Sequence, residues 1–464
     1  MGDSGFPLGK KDGSQIDQIL EFSLVTPNME GPHRLESMDI SFYINLPSFL
    51  CNIGVEKGEK GMESDYDTSW KWITGLCVIG LAGIALAAGI TGNWVLTALP
   101  IGFLFGFFLE KGDLCGASAF SEVLLLKDWK KIQGIWVIIV VSMVGFSLLS
   151  SFGMVKLNPK PLFWASYIVG GVIFGVGMVL AGGCVSGSLF KTGRGNLNSM
   201  AALVGIPIGI MMVEHGLLNS FHKTLKTYTV KNADGGPVTF ASVLHMPYWI
   251  LAVIFAVGTI VAAVYLGKKS KPQTAKIIRP DTSSVKRVMT RRWRPWQAGV
   301  AIGLLACLAY LSSAASGRNY PLGVSHGVMH AELLLTDAPL TYVVSSKAAV
   351  TASTSSSVQL GTATASKKVS VWLILEILAL VLGSFVSAKL SGRAKLLPKP
   401  PPQTIIAFFG GILVGLGAAI AGGCVVGNIM SGVALMSVGN LLFVGVVILS
   451  NWITTYFYLM GGTR

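Results

Sequence analysis

Residues 170–187 read GGVIFGVGMVLAGGCVSG, and residues 410–427 read GGILVGLGAAIAGGCVVG. Laid over one another they match at Gly170/Gly410, Gly175/Gly415, Gly177/Gly417, Ala181/Ala421, Gly182/Gly422, Gly183/Gly423, Cys184/Cys424 and Gly187/Gly427. Chance does not easily produce that, so the chain holds an internal repeat. A fainter pair precedes each copy, SEVLLL at 121–126 and AELLL at 331–335. The two repeat halves span 94–217 and 296–460. In each, an apolar helix of about 14 residues is expected to end in Ala-Gly-Gly-Cys, followed by a short stretch able to carry polar groups.

The surroundings of the repeat decide the solvent. Hydrophobic residues make up 52% of the chain, charged residues 12%, and the mean hydropathy is +0.63. Soluble domains carry about a quarter charged residues. Apolar runs long enough to cross a bilayer as helix recur at 72–90, 132–152, 248–267, 369–390 and 441–460. The first begins near Trp70 and is expected to serve as the targeting signal in place of a cleaved peptide. The expected fold is an all-α integral membrane protein, an inverted-repeat bundle of about ten helices with broken or re-entrant helices meeting at the midplane.

Charge orients it. The net charge of +14 sits in short connections between apolar runs, which argues for cytoplasmic loops in a lipid bilayer and against nucleic acid as a partner. Residues 127–131, 191–194, 389–399 and the basic linker 268–295 fall on the cytoplasmic side by that bias. The run 132–152 then leads outward and its counterpart 369–390 inward, which makes the repeats inverted, a transporter or channel layout. A further helix at 71–93 precedes the first half, another at 247–267 follows it, and both termini are expected in the cytoplasm. Segments 114–126 and 321–335 are too short to span and read as re-entrant. Residues 1–70 read as a weakly ordered polar segment, and 347–368 as a solvated loop.

A Gly-Gly pair in mid-membrane breaks a helix, and hydrocarbon tolerates unpaired backbone only where the break lines a cavity or is buried in protein. The helix that follows begins with N–H groups and a positive dipole end, which attract anions. Gly183, Gly423, Ser186, Ser188 and Asn428 stand there. Two inverted copies would bring Cys184 and Cys424 together at a constriction. The plain alternative is a tight helix crossing with an inert thiol, and matched cysteines in both halves weigh against it. Cys115, in GDLCGAS, lies between the arms of the first hairpin; Ser325 or Leu322 holds the corresponding place in the second half, according to register. Cys77 and Cys307 lie inside apolar helices as small hydrophobes, and Cys51 is incidental. No CxxC pair supports a zinc or thioredoxin-like site.

Lys111, Lys191, Arg194 and Arg318 can form funnels for anions at the mouths, or serve as interfacial anchors. Glu376 sits inside an apolar run and is a functional candidate on that ground, against a polar packing partner. Glu122 and Glu332 recur in the repeat and read as holding loop geometry. His326 and His330 lack a third metal ligand. Neither a metal nor a cofactor is expected.

AGGCVSG and AGGCVVG, with GDLCGAS before the first, resemble the YeeE/YedE family of sulfur-transport membrane proteins over roughly 95–460. The resemblance implies an hourglass fold, no enzymatic activity, and uptake of thiosulfate or a related sulfur oxyanion across the cell inner membrane. It makes Cys184 and Cys424 substrate-contacting thiols at the waist and Cys115 an additional one. Some members carry a further cysteine where this chain has Gly187, which leaves a relay site there in doubt. No sulfur-carrier domain with a CPxP motif is fused at either end, so a cytoplasmic sulfur-carrier protein would be a separate partner. Some relatives are associated with selenium, so a selenium compound is an alternative cargo. From the residues alone two other classes stay open: a membrane thiol-disulfide oxidoreductase using Cys184 and Cys424, and an assembly factor whose motifs only pack helices.

Overall fold

The computed structural model describes residues 59–232, 235–269, 289–334, 340–343, 367–396 and 400–461. Cys51, nearly all of the N-terminal segment, most of the basic linker and most of 347–368 lie outside the described residues. Ten stretches among the described residues are long and apolar enough to cross a bilayer. The chain is a multi-pass, all-α integral membrane protein.

Helix α1 runs from Glu59 to Thr91, starting earlier than the apolar run alone suggests. Six elements follow: α2 (Ala98–Gly112), α3 (Gly116–Leu126), α4 (Lys130–Ser151), α5 (Trp164–Leu180), α6 (Val185–Gly193) and α7 (Leu197–Glu214). Then come α8 (Asn219–Thr227) and α9 (Tyr248–Lys269). A second series of six is α10 (Pro295–Ala315), α11 (Val324–Leu333), α12 (Val371–Leu390), α13 (Pro401–Ile420), the π-helical α14 (Val425–Gly432) and α15 (Val438–Thr455). Between α11 and α12, β1 (Leu340–Val343) and β2 (Lys367–Ser370) pair in parallel. Helices α3 and α11 have 11 and 10 residues, about half of what a span requires. The helices that end in the glycine-cysteine motif have 17 and 20 residues rather than about 14. The pattern around the glycines hides their first turns. Pro401, whose fixed φ suits a first helical position, starts α13 well before the repeated stretch.

Contacts repeat across the two series. Helix α2 packs on α12 and α10 on α4, α7 on α13 and α15 on α5, α3 on α15 and α11 on α7. Each series therefore buries its faces mainly against the other. Helices α5 and α13 cross at the centre. A Cβ at Gly170 would stand 2.7 Å from Ala421 N, and one at Gly410 would run into Ala181, its exact counterpart. A Cβ at Gly177 would stand 2.6 Å from Val414 N, and one at Gly417 2.5 Å from Phe174 N. The start of each helix thus lies beside the end of the other, which requires them to be antiparallel and related by a two-fold operation. Glycine permits this because lipid supplies no hydrophobic drive between helices, and close backbone packing must do so instead. The same device seats α2 on α12 through Gly102, Gly106 and Gly383, and α7 on α13 through Gly205, Gly209, Gly411 and Gly415.

Candidate functional site at two broken helices

Helix α5 stops at Leu180 and α13 at Ile420, and the same backbone path follows each. Gly182 and Gly422 adopt φ of +66° and +63°, where an L side chain is strained. A Cβ at either would meet nothing within 4 Å, so backbone conformation alone requires glycine there. The second glycine has a different reason. A Cβ at Gly423 would run into Asn428 Oδ1, and one at Gly183 would stand 3.2 Å from Ser188 N. Cys184 and Cys424 then extend and begin α6 and α14. Gly187 N donates to Cys184 Sγ (3.4 Å), and Cys424 N donates to Ser325 Oγ (3.2 Å).

Cys184 and Cys424 have no exposed surface, Cys115 has 1%, and all three thiols are free. Cys115 precedes α3, and its sulfur and that of Cys184 both lie beside Gly187. Gly116 packs on Val425, the residue after Cys424. Consecutive residues of one turn therefore touch both breaks. Ser186 Oγ lies 3.4 Å from Cys184 Sγ, and Ser188 Oγ is buried without a hydrogen-bond partner among the described residues. In the second half Ser325 meets Cys424 as Cys115 meets Cys184, while Leu322 turns its carbonyl to Ser431.

The missing twin of Cys115 leaves an imprint. A Cβ at Gly187 would stand 2.5 Å from Cys115 Sγ and 3.4 Å from Cys184 Sγ, whereas one at Gly427 would meet nothing within 4 Å. Gly187→Ala is expected to cost about 1–3 kcal/mol by overpacking and to push the two sulfurs apart; Gly427→Ala is expected to be close to neutral. Thermal melting of the two purified variants checks this, and equal melting temperatures would refute it.

The charged residues are not all at mouths. Lys191 Nζ donates to Gly182 O (2.6 Å), at the break itself. Arg194 pairs with Asp113 (2.9 Å), which Arg292 (2.9 Å) and Lys131 (3.2 Å) also hold. Glu110 pairs with Arg393 (2.9 Å). Lys111 is fully buried, bonding Met289 O and Ser391 Oγ, so it ties α2 to the end of the linker and to α12 rather than lining a funnel. The reason is its position in the last turn of a helix whose neighbours offer oxygens at the same level. All of these lie at the end of the bundle where α2, α6 and α12 finish and α4 begins. Arg318 lies at the opposite end, donating to Ser313 Oγ and the carbonyls of Tyr320 and Pro321 and stacking on the Tyr320 and Trp372 rings. Glu376 is fully buried, with Arg318 the cation acting on it. Glu122 pairs with Lys131, and His330 accepts from Ser370 N. Among the described residues no three potential metal ligands converge.

A cavity opens onto each break. One of about 180 Å³ is lined by Gly422, Gly423, Ser325, His326 and Lys226; the other, of about 320 Å³, by Gly182, Asn196, Ser199 and Gln403. Each cavity thus reaches glycines that closely precede a buried thiol. The sulphur transport family model matches residues 111–453.

The chain belongs to the sulphur transport family.

Among its relatives, the thiosulfate transporter TsuA of Spirochaeta thermophila is 32% identical over 380 residues, covering 79% of this chain and 96% of that protein. The thiosulfate transporter TsuA of Escherichia coli is 26% identical over 364 residues, covering 78% and 94%. The probable transporter YedE of Escherichia coli is 29% identical over 137 residues, 29% of this chain and 33% of that one.

Within this sulphur transport family member, one residue at the breaks escaped the sequence reading. Lys160, in the connection from α4 to α5, donates to Gly422 O (2.6 Å) and Asn428 Oδ1 (2.8 Å). Its ammonium stands 5.1 Å from the centre of the Tyr320 ring, and Tyr320 Oη donates to Gly427 O (2.7 Å). Burial, with the Arg318 guanidinium beside it, lowers the Lys160 ammonium to about 7. In LNPKPLFW it looks like a loop lysine between prolines, and no spacing marks it.

Proposed function

We propose that this protein takes up thiosulfate, or a closely related sulfur oxyanion, through the constriction formed by Cys184, Cys424 and Cys115, with Gly183, Gly423, Ser186 and Asn428 as neighbouring contacts. The observation that carries this is the burial of three free thiols at two antiparallel helix breaks, each with its own cavity. The named function of the two thiosulfate transporters that match most of the chain supports the cargo.

The chemistry suits it. Thiosulfate is a dianion with a soft terminal sulfur. Neutral thiols are weak donors that hold such a group without trapping it. Several weak sites in a row let the ion leave as well as enter. Lys191, Arg194 and Arg318 add positive potential on the two sides of the neck.

The end bearing Lys131, Arg194 and Arg393 is the cytoplasmic one under the positive-inside bias, in the cell inner membrane with both termini inside. Moving two negative charges inward against about 100 mV costs about 4.6 kcal/mol. Uptake then needs a gradient, a coupled cation or rapid consumption inside. A cytoplasmic sulfur-carrier protein would supply the last.

Proteoliposomes holding the purified protein are expected to accumulate sulfur-labelled thiosulfate, with unlabelled thiosulfate competing and equimolar sulfate not. Sulfite and selenite in the same assay rank the related cargoes. Accumulation no greater than in empty vesicles would sink the proposal.

A further inference from the structure

Lys191 reaches Gly182 O from the helix that follows its own break. The equivalent position in the second half is Ser431, whose hydroxyl donates to Leu322 O instead. Gly422 O nevertheless receives an ammonium, because Lys160 arrives from a connection 262 residues away. Tertiary structure thus places at the second break a cation that the helix following it does not carry.

We propose that Lys160 is an anion-receiving residue of the transport path: a dianionic sulfur oxyanion in the cavity beside Gly422 and Gly423 takes the place of Asn428 Oδ1 on its ammonium and lies against Cys424. This rests on the transport reading above. Among the described residues the hydrogen-bond partners of Lys160 are two neutral oxygens, and no carboxylate pairs with it. A half-buried cation held only by dipoles is costly and gains from an anion. Access is present. A Cβ at Gly423, which lines the cavity of about 180 Å³, would stand 3.0 Å from Lys160 Nζ. The cation is also placed rather than adrift. Ser437 Oγ donates to its backbone carbonyl (2.9 Å), and its ammonium and the Arg318 guanidinium stand 5.1 Å and 5.5 Å from the centre of the Tyr320 ring. The residue the anion displaces can give way, since the Asn428 amide keeps its own bonds to Ala421 O (3.2 Å) and Gly423 O (3.0 Å). The two lysines thereby serve one break each: Lys160 beside Cys424, Lys191 beside Cys184 and Cys115.

The test separates charge from helix capping. Lys160→Gln keeps an N–H donor for Gly422 O and removes the charge; Lys160→Arg keeps the charge; Lys160→Met removes both and backs up the glutamine variant. Thiosulfate uptake is measured in proteoliposomes, with binding to the detergent-purified proteins read as the thiosulfate-dependent rise in melting temperature. Lys160→Gln and Lys160→Met are expected to raise the half-saturating thiosulfate concentration at least about tenfold and to lose the melting shift, with Lys160→Arg within about threefold of the parent. Parent-like half-saturation in Lys160→Gln, beside active parent protein, overturns this inference alone. A parent protein that neither takes up nor binds thiosulfate overturns the transport reading and this inference with it.

Discussion

Cys184→Ala and Cys424→Ala are each expected to lower thiosulfate uptake at least about a hundredfold while leaving insertion and folding intact. Both sulfurs are fully enclosed directly after the two breaks, and on the transport reading a solute passing between the two cavities meets them. Losing one of a pair of convergent weak donors in a water-poor site costs about 1–3 kcal/mol through unpaired polar groups. The anion also loses a stop between two cavities, and its crossing barrier rises further. The folding cost stays small because alanine only removes a sulfur and the break itself is set by Gly182 and Gly422. Cys307 is the control: its thiol donates to Gly303 O (3.3 Å) and packs on Gly145, away from both breaks. Cys307→Ala should transport like the parent. Growth of a transport-deficient host on thiosulfate checks all three, with membrane insertion followed by immunoblot. Normal growth with Cys184→Ala or Cys424→Ala would remove the sulfhydryl mechanism.

Gly417→Val should prevent the bundle from assembling. A Cβ there stands 2.5 Å from Phe174 N and 2.7 Å from the Phe174 Cα, so the obstacle is backbone and cannot rotate away. Helices α5 and α13 would have to separate at their crossing. Overpacking a rigid core by a few carbon atoms costs about 3 kcal/mol or more, a large share of a typical stability of about 5–15 kcal/mol. Gly177→Val, on the other side of the same two-fold, should do the same, since its Cβ stands 2.6 Å from Val414 N. Gly445→Val, on the exposed face of α15 with nothing within 4 Å, should behave like the parent. Size-exclusion profiles in detergent and melting temperatures measure the three. A monodisperse, parent-like Gly417→Val protein would show that the crossing is not the close contact described.

Several features were legible because they are local. The Ala-Gly-Gly-Cys motif announces a helix stop, and the stop needs a left-handed residue that glycine supplies at 182 and 422. Helices α3 and α11 are too short to span, as counting residues already indicates. Lys111 shows where such reading fails. A lysine at a helix end looks like a mouth residue from sequence, yet it is buried, because Met289 and Ser391 supply oxygens from distant parts of the chain. The register of the second hairpin was likewise open between Ser325 and Leu322, and only contact with Cys424 distinguishes them.

By itself the sequence determined that this is a membrane protein, where its helices break, that the break occurs twice, and that a cysteine follows each time. Those properties follow from hydropathy over about 20 residues and from the backbone freedom of glycine, both written in consecutive positions. Only the tertiary structure decided that Cys115 joins Cys184, that each helix series packs mainly on the other, and that Lys160 stands at Gly422. Such partners lie far apart in the chain, Lys160 and Asn428 by 268 residues. A contact made through three-dimensional packing leaves no periodicity for a linear reading to find.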